Sequence, residues 1–130
     1  MRKILFVTIF LALLTLVLAA CSSSTAPATQ TTAQVNIKIE TNPTPARAGD
    51  VELVLTITDQ NGNPLDGAKV DVSADHTDMS GMNMGGPATE QGAGKYAIKA
   101  NFSMSGNWKI TVFVRKGELD VKQELPLVVK

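Results

Sequence analysis

Ala68-Lys69-Val70-Asp71-Val72-Ser73-Ala74 alternates apolar and polar side chains residue by residue. That period of two is the mark of a strand with one face in a core. The pattern recurs on both sides. Upstream, Val35, Ile37 and Ile39 alternate with Asn36, Lys38 and Glu40, and Val51-Glu52-Leu53-Val54-Leu55-Thr56-Ile57 is a β-branched, largely apolar run. Downstream come Tyr96, Ile98, Ala100 and Phe102, then Trp108, Ile110, Val112 and Val114, then a last run ending Leu125-Pro126-Leu127-Val128-Val129. Turn residues separate the runs, with Asp59-Gln60-Asn61-Gly62-Asn63-Pro64-Leu65 the densest and Lys116-Gly117-Glu118 the shortest. Asp59 and Asp66 flank the first of these and read as turn residues. No run of alternating oxygen ligands follows them, as a calcium loop would need. Nothing beyond residue 34 sustains a helical period. The sequence predicts an all-β domain over residues 35–130: a single immunoglobulin-like antiparallel β-sandwich of six to seven strands.

The start of the chain is organised differently. Arg2-Lys3 precedes an apolar run from Ile4 to Leu18, which ends in Leu18-Ala19-Ala20-Cys21. A basic flank, an apolar stretch and small residues make a secretory signal. The run is shorter than the roughly 20 apolar residues of a membrane-spanning helix, and Ser, Thr and Ala follow it rather than basic residues. Leu18 to Cys21 resembles the bacterial lipobox at each position. That resemblance implies cleavage before Cys21, a diacylglycerol thioether on its sulfur and acylation of its amine, which together anchor the chain to a membrane. Residues 1–20 then form a lipoprotein signal peptide. Residues 21–34, uncharged and rich in Ser, Thr and Ala, form a tether with too little apolar surface to fold. The expected location is the bacterial cell envelope, outside the cytoplasm.

Charge and residue counts exclude several function classes. The chain carries 12 basic and 12 acidic residues. Arg2 and Lys3 leave with the signal peptide, so the mature chain is slightly acidic and lacks the positive field that grips nucleic acid. The single cysteine, Cys21, rules out a disulfide within the chain, a thiolate nucleophile in the domain and a cysteine-built zinc site. Only Ser73 or Ser80 beside His76 offers a nucleophile near a base, with no nucleophile elbow and no phosphate-cradling glycine loop. The chain reads as a non-enzyme.

Residues 76–94 break the alternation and predict one long loop, a length that signals function or disorder. Here stand the only histidine, His76, and three of the methionines: Met79, Met82 and Met84. The remaining methionine of the mature chain, Met104, closes the run that contains Tyr96 and Phe102. Thioethers are soft, neutral donors that select Cu(I) over harder divalent ions. Unlike thiolates, they cannot form disulfides in an oxidising compartment. His76 continues the inward row Val70, Val72, Ala74, and Met104 continues the inward row Tyr96, Ile98, Ala100, Phe102. In an immunoglobulin-like sandwich both rows emerge at one pole, beneath the methionine loop. His76, Met79, Met82, Met84 and Met104 are therefore the candidate metal ligands. Each has a plainer reading: Met104 as core filling, His76 as a strand-end residue held by a carboxylate, and the loop methionines as sacrificial antioxidants or adaptable contacts for a protein partner. A structural or interaction module without metal is the alternative function.

Four segments carry a wider resemblance: Pro64-Leu65-Asp66-Gly67-Ala68-Lys69-Val70-Asp71-Val72, His76 to Met84, Gly94-Lys95-Tyr96 and Phe102-Ser103-Met104-Ser105-Gly106-Asn107-Trp108. In this order they resemble the YtkA-like domain family, small immunoglobulin-like extracytoplasmic domains similar to the FixH group, over roughly residues 35–129. The resemblance implies a lipoprotein associated with copper handling or with assembly of a membrane-bound oxidase, and a membrane-bound copper protein as partner. It also implies His76, Met79, Met82, Met84 and Met104 as copper ligands. Many members carry Met-Pro pairs in the loop, where this chain has Ser80, Asn83 and Gly85 after its methionines.

Overall fold

Burial follows the alternation closely enough to explain the architecture. Along Lys69–His76 exposed or half-exposed residues alternate with buried Val70, Val72, Ala74 and His76, and along Gly49–Thr58 the buried row is Val51, Leu53, Leu55 and Ile57. Each such row is one face of a sheet, and two faces must meet to leave water. The computed structural model describes residues 35–130, and in it they do. Eight strands form two antiparallel sheets: β1 (Asn36–Asn42), β2 (Gly49–Thr58), β3 (Lys69–His76), β4 (Asn83–Pro87), β5 (Thr89–Gly92), β6 (Lys95–Phe102), β7 (Gly106–Lys116) and β8 (Leu119–Val129). One sheet has the order β1-β2-β6-β5 and the other β4-β3-β7-β8. This is the immunoglobulin arrangement of four strands facing three, with an added edge strand beside the third. The core between the sheets is built of Leu53, Leu55, Ile57, Tyr96, Phe102, Ile110, Val112 and Val114 among others. The expected signal peptide, acylated Cys21 and tether lie outside the described residues.

Strand pairing defines two poles. Asn36 pairs with Thr58 and Lys95 with Thr56, so the start of β1, the end of β2 and the start of β6 share the lower pole. Gly49 pairs with Phe102, His76 with Trp108, and Gly106 with Val129, so the ends of β3, β6 and β8 share the upper pole.

The lower pole is closed by polar groups. Asp59 Oδ1 accepts the amides of Asn61 at 2.8 Å and Asn63 at 2.9 Å. Asn63 Nδ2 donates to Asp59 Oδ2, and these bonds hold the exposed carboxyl below its ordinary range. Asp66 Oδ1 accepts the Gly94 amide at 2.6 Å. Asp59 is the turn residue expected, whereas Asp66 ties its segment to the distant β5–β6 turn. The Tyr96 hydroxyl donates to Leu65 O at 2.7 Å and accepts the Ala68 amide at 3.0 Å, joining β6 to the segment that opens the opposite sheet. Its burial raises the phenol's pKa.

Two strands were not expected. Residues 76–94 are not one long loop: β4 pairs with β3 from Asp75↔Asn83 to Asp71↔Pro87, and β5 pairs with the start of β6. Between them Ala88 donates its amide to Val70 O, and the chain switches sheets there. The total is therefore eight strands rather than six or seven. Asn83-Met84-Gly85-Gly86-Pro87 has almost no intrinsic strand preference. It is an edge strand, where glycine and a terminal proline are tolerated and the ladder to β3 supplies the order. Gly85 is needed there, because a Cβ on it would lie 2.5 Å from Val72 O.

Candidate functional site

Alternation along β3 leaves His76 as the last inward residue, one rung beyond Ala74, and pairing sets Trp108 of β7 opposite it. The indole is 2% exposed and forms the floor of the upper pole. His76 meets it edge-on with ring centroids 5.0 Å apart, and Phe102 does the same from the other sheet at 5.0 Å. The indole Nε1 donates to Met104 O at 3.3 Å. One side chain thus gathers the ends of β3 and β6, and the two inward rows do converge at a single pole.

The β3–β4 turn, residues 77–82, arches over this floor. It is tied at both ends: the His76 amide donates to Met82 O at 3.1 Å, and the Thr77 amide to Asn107 O at 2.9 Å. Inside the arch the Asp78 amide donates to His76 Nδ1 at 3.2 Å. His76 Nε2 lies 3.5 Å from Ser105 O. With Nδ1 accepting, the neutral ring carries its proton on Nε2 and directs it at that carbonyl. The imidazole is 8% exposed, and both its nitrogens face backbone groups. Gly106 allows this closeness: its φ is +139°, and a Cβ there would lie 2.5 Å from His76 Nε2.

The sulfurs occupy different surroundings. Met82 reaches across the pole to the β6–β7 turn, where Ser103 Oγ donates to its Sδ at 3.7 Å. A thioether sulfur has two lone pairs, so this weak bond leaves one free. Met104 is half-buried against the core. Met84 stands one rung lower, paired with Ala74 on β4. It lines a slot of about 180 Å³ between the sheets with Leu53, Val72, Ile98 and Ala100. Met79 is 46% exposed at the crest of the turn. The structure therefore brings the backbones of His76, Met82 and Met104 to one pole, places Met84 one rung down on β4, and leaves Met79 exposed in the turn.

Among the described residues, no three His, Cys, Asp or Glu side chains gather within reach of one ion. The donors at this pole are thioethers with one imidazole, a set that suits a soft monovalent ion and not a hard divalent one. Sequence reasoning missed Ser103, Gly106 and Trp108 as parts of the site. The signal was present in Phe102-Ser103-Met104-Ser105-Gly106-Asn107-Trp108, where Phe102, Met104, Gly106 and Trp108 are the less exposed alternate residues, Gly106 fills the tight place beside His76, and Ser103 is exposed between them. One of the missing Met-Pro pairs has a steric reason: any Cβ at position 85, a proline's included, would lie 2.5 Å from Val72 O.

A family model described as YtkA-like matches residues 29–113, more than half of the chain and as far as the middle of β7. No curated protein matches the chain.

Proposed function

The chain belongs to the YtkA-like family, and for this member we propose a non-catalytic carrier of a soft monovalent metal ion, Cu(I), outside the cytoplasm. Cys21, acylated after signal cleavage, anchors it to a membrane. The ion is cargo, taken up on thioethers by ligand exchange and either sequestered or passed to a membrane-bound copper protein such as an oxidase under assembly. What supports the reading is that Met82, Met104 and His76 all stand at the pole that Trp108 floors, with Met84 one rung down and Met79 exposed in the turn. Thioether donors are neutral and exchange without proton release, which suits delivery rather than permanent storage.

Met82 and Met104 are the central donors in this reading, because they stand in the two turns that meet at the pole, β3–β4 and β6–β7. Met79 and Met84 supply further sulfur from above and below. His76 ligates only by giving up the Asp78 amide at Nδ1 or the Ser105 carbonyl at Nε2. The test is an anaerobic titration of the metal-free chain with Cu(I), or with Ag(I) as its redox-inert counterpart, against a competing chelator. The expected result is one equivalent bound by the wild type and a large loss of affinity in Met82→Leu/Met104→Leu. Equal affinity in that variant removes the metal reading and leaves the methionine turn as a contact surface for a protein.

A further inference from the structure

The four methionines differ in exposure, with Met79 exposed and Met82, Met84 and Met104 half-buried, and that difference predicts chemistry of its own. Met82 Sδ accepts a hydrogen bond from Ser103 Oγ, which occupies one lone pair and makes the sulfur a poorer nucleophile. Met84 is enclosed in the slot between β4 and β6, and Met104 packs on the core. Met79 is 46% exposed and stands between Asp78 and Ser80 at the crest of the turn.

We infer that Met79 is a modification site, an oxygen acceptor for hydroperoxides, and that its oxygenation weakens the hold of the upper pole on a soft ion. In the reaction a sulfur lone pair attacks one oxygen of hydrogen peroxide. An S–O bond forms and the O–O bond breaks. The thioether loses two electrons, and the departing hydroxide takes up the proton of the transferred oxygen and leaves as water. The product is a methionine sulfoxide, polar and no longer a soft sulfur donor. The fold accommodates it at this position only. The turn is held by its ends, through His76 N to Met82 O, Thr77 N to Asn107 O and Asp78 N to His76 Nδ1, none of which involves the Met79 side chain. A sulfoxide at 82, 84 or 104 would instead place a polar oxygen against the core.

The second half of this inference rests on the soft-ion reading above, so the experiment separates them. The full, metal-free chain is exposed to graded hydrogen peroxide and its peptides are mapped by mass. Sulfoxide is expected at Met79 several-fold faster than at Met82, Met84 or Met104, and in Met79→Leu the fast phase disappears while the other rates are unchanged. Any of the other three reacting as fast as Met79 overturns the assignment. The singly oxidised chain is then titrated with Ag(I), with an unchanged melting temperature and a several-fold weaker affinity expected. Unchanged affinity overturns the regulatory role of the modification. Absence of silver binding before oxidation overturns the soft-ion reading and with it that role, while the peptide map still decides the modification itself.

Discussion

The two poles of this sandwich are closed by opposite kinds of chemistry. At the lower pole oxygen and nitrogen groups satisfy one another: Asp59 with Asn61 and Asn63, Asp66 with Gly94, Tyr96 with Leu65 and Ala68. At the upper pole closure is achieved by rings and sulfur, with the Trp108 indole between His76 and Phe102 and thioethers above it. The difference is one of commitment. Strong hydrogen bonds consume the groups that make them, so the lower pole has little left to offer a ligand. At the upper pole the hydrogen bonds that tie the turn engage backbone groups and the His76 ring, and of the sulfurs only that of Met82 is bonded, with one lone pair left. A pole can thus be structural or receptive according to which atoms do the closing.

That contrast breaks most completely at the indole. Trp108→Ala removes the floor beneath both rings and is expected to cost about 3–5 kcal/mol of stability, measured by urea unfolding, and to abolish silver binding. At the lower pole Tyr96→Phe leaves Leu65 O and the Ala68 amide without their partner, a loss of roughly 1–3 kcal/mol, with silver binding unchanged. The same variant changes the pH response. Burial raises the Tyr96 pKa above its ordinary 10.0, so the folded state holds a proton that the unfolded state has released. That stabilisation is complete below the ordinary value and is lost as pH rises through the folded one. Unfolding midpoints measured on the alkaline side are expected to fall with pH more steeply in the wild type than in Tyr96→Phe.

Two smaller effects sharpen the comparison. Met82→Leu keeps volume and apolar character, so stability is expected to change by less than about 1.5 kcal/mol while silver affinity falls markedly. A site whose function is lost without its fold is the behaviour of uncommitted donors. Asp59→Ala is expected to do the reverse on a minor scale. Hydrogen bonds from Asn63 and Asn61 hold the Asp59 carboxyl below 3.8, so its contribution is present above that value and is lost as pH falls below it. The wild type is expected to lose slightly more stability than the variant in acid, by the same unfolding measurement, with no effect on metal binding.

How much of this could be read in advance depends on what produces each feature. Val70, Val72, Ala74 and His76 carry their burial in their own spacing, and so do Tyr96 and Phe102, which made the sandwich and the shared pole of His76 and Met104 legible. The Asp59 turn was legible for the same reason, since its hydrogen bonds run to residues two and four positions away. β4 was not. Apart from Met84 it consists of asparagine, glycine and proline, so its order comes from β3, and no local period records a neighbour's ladder. The Ser103 contact with Met82 spans 21 residues, and the engagement of both His76 nitrogens depends on backbone atoms of two separate loops. Identity at a position says what a side chain can donate or accept; only the fold says which of its atoms are already taken.

β1 enters the domain at the lower pole, as its pairing of Asn36 with Thr58 requires. The methionine turn that follows His76 closes the opposite end, a full strand's length from Asn36.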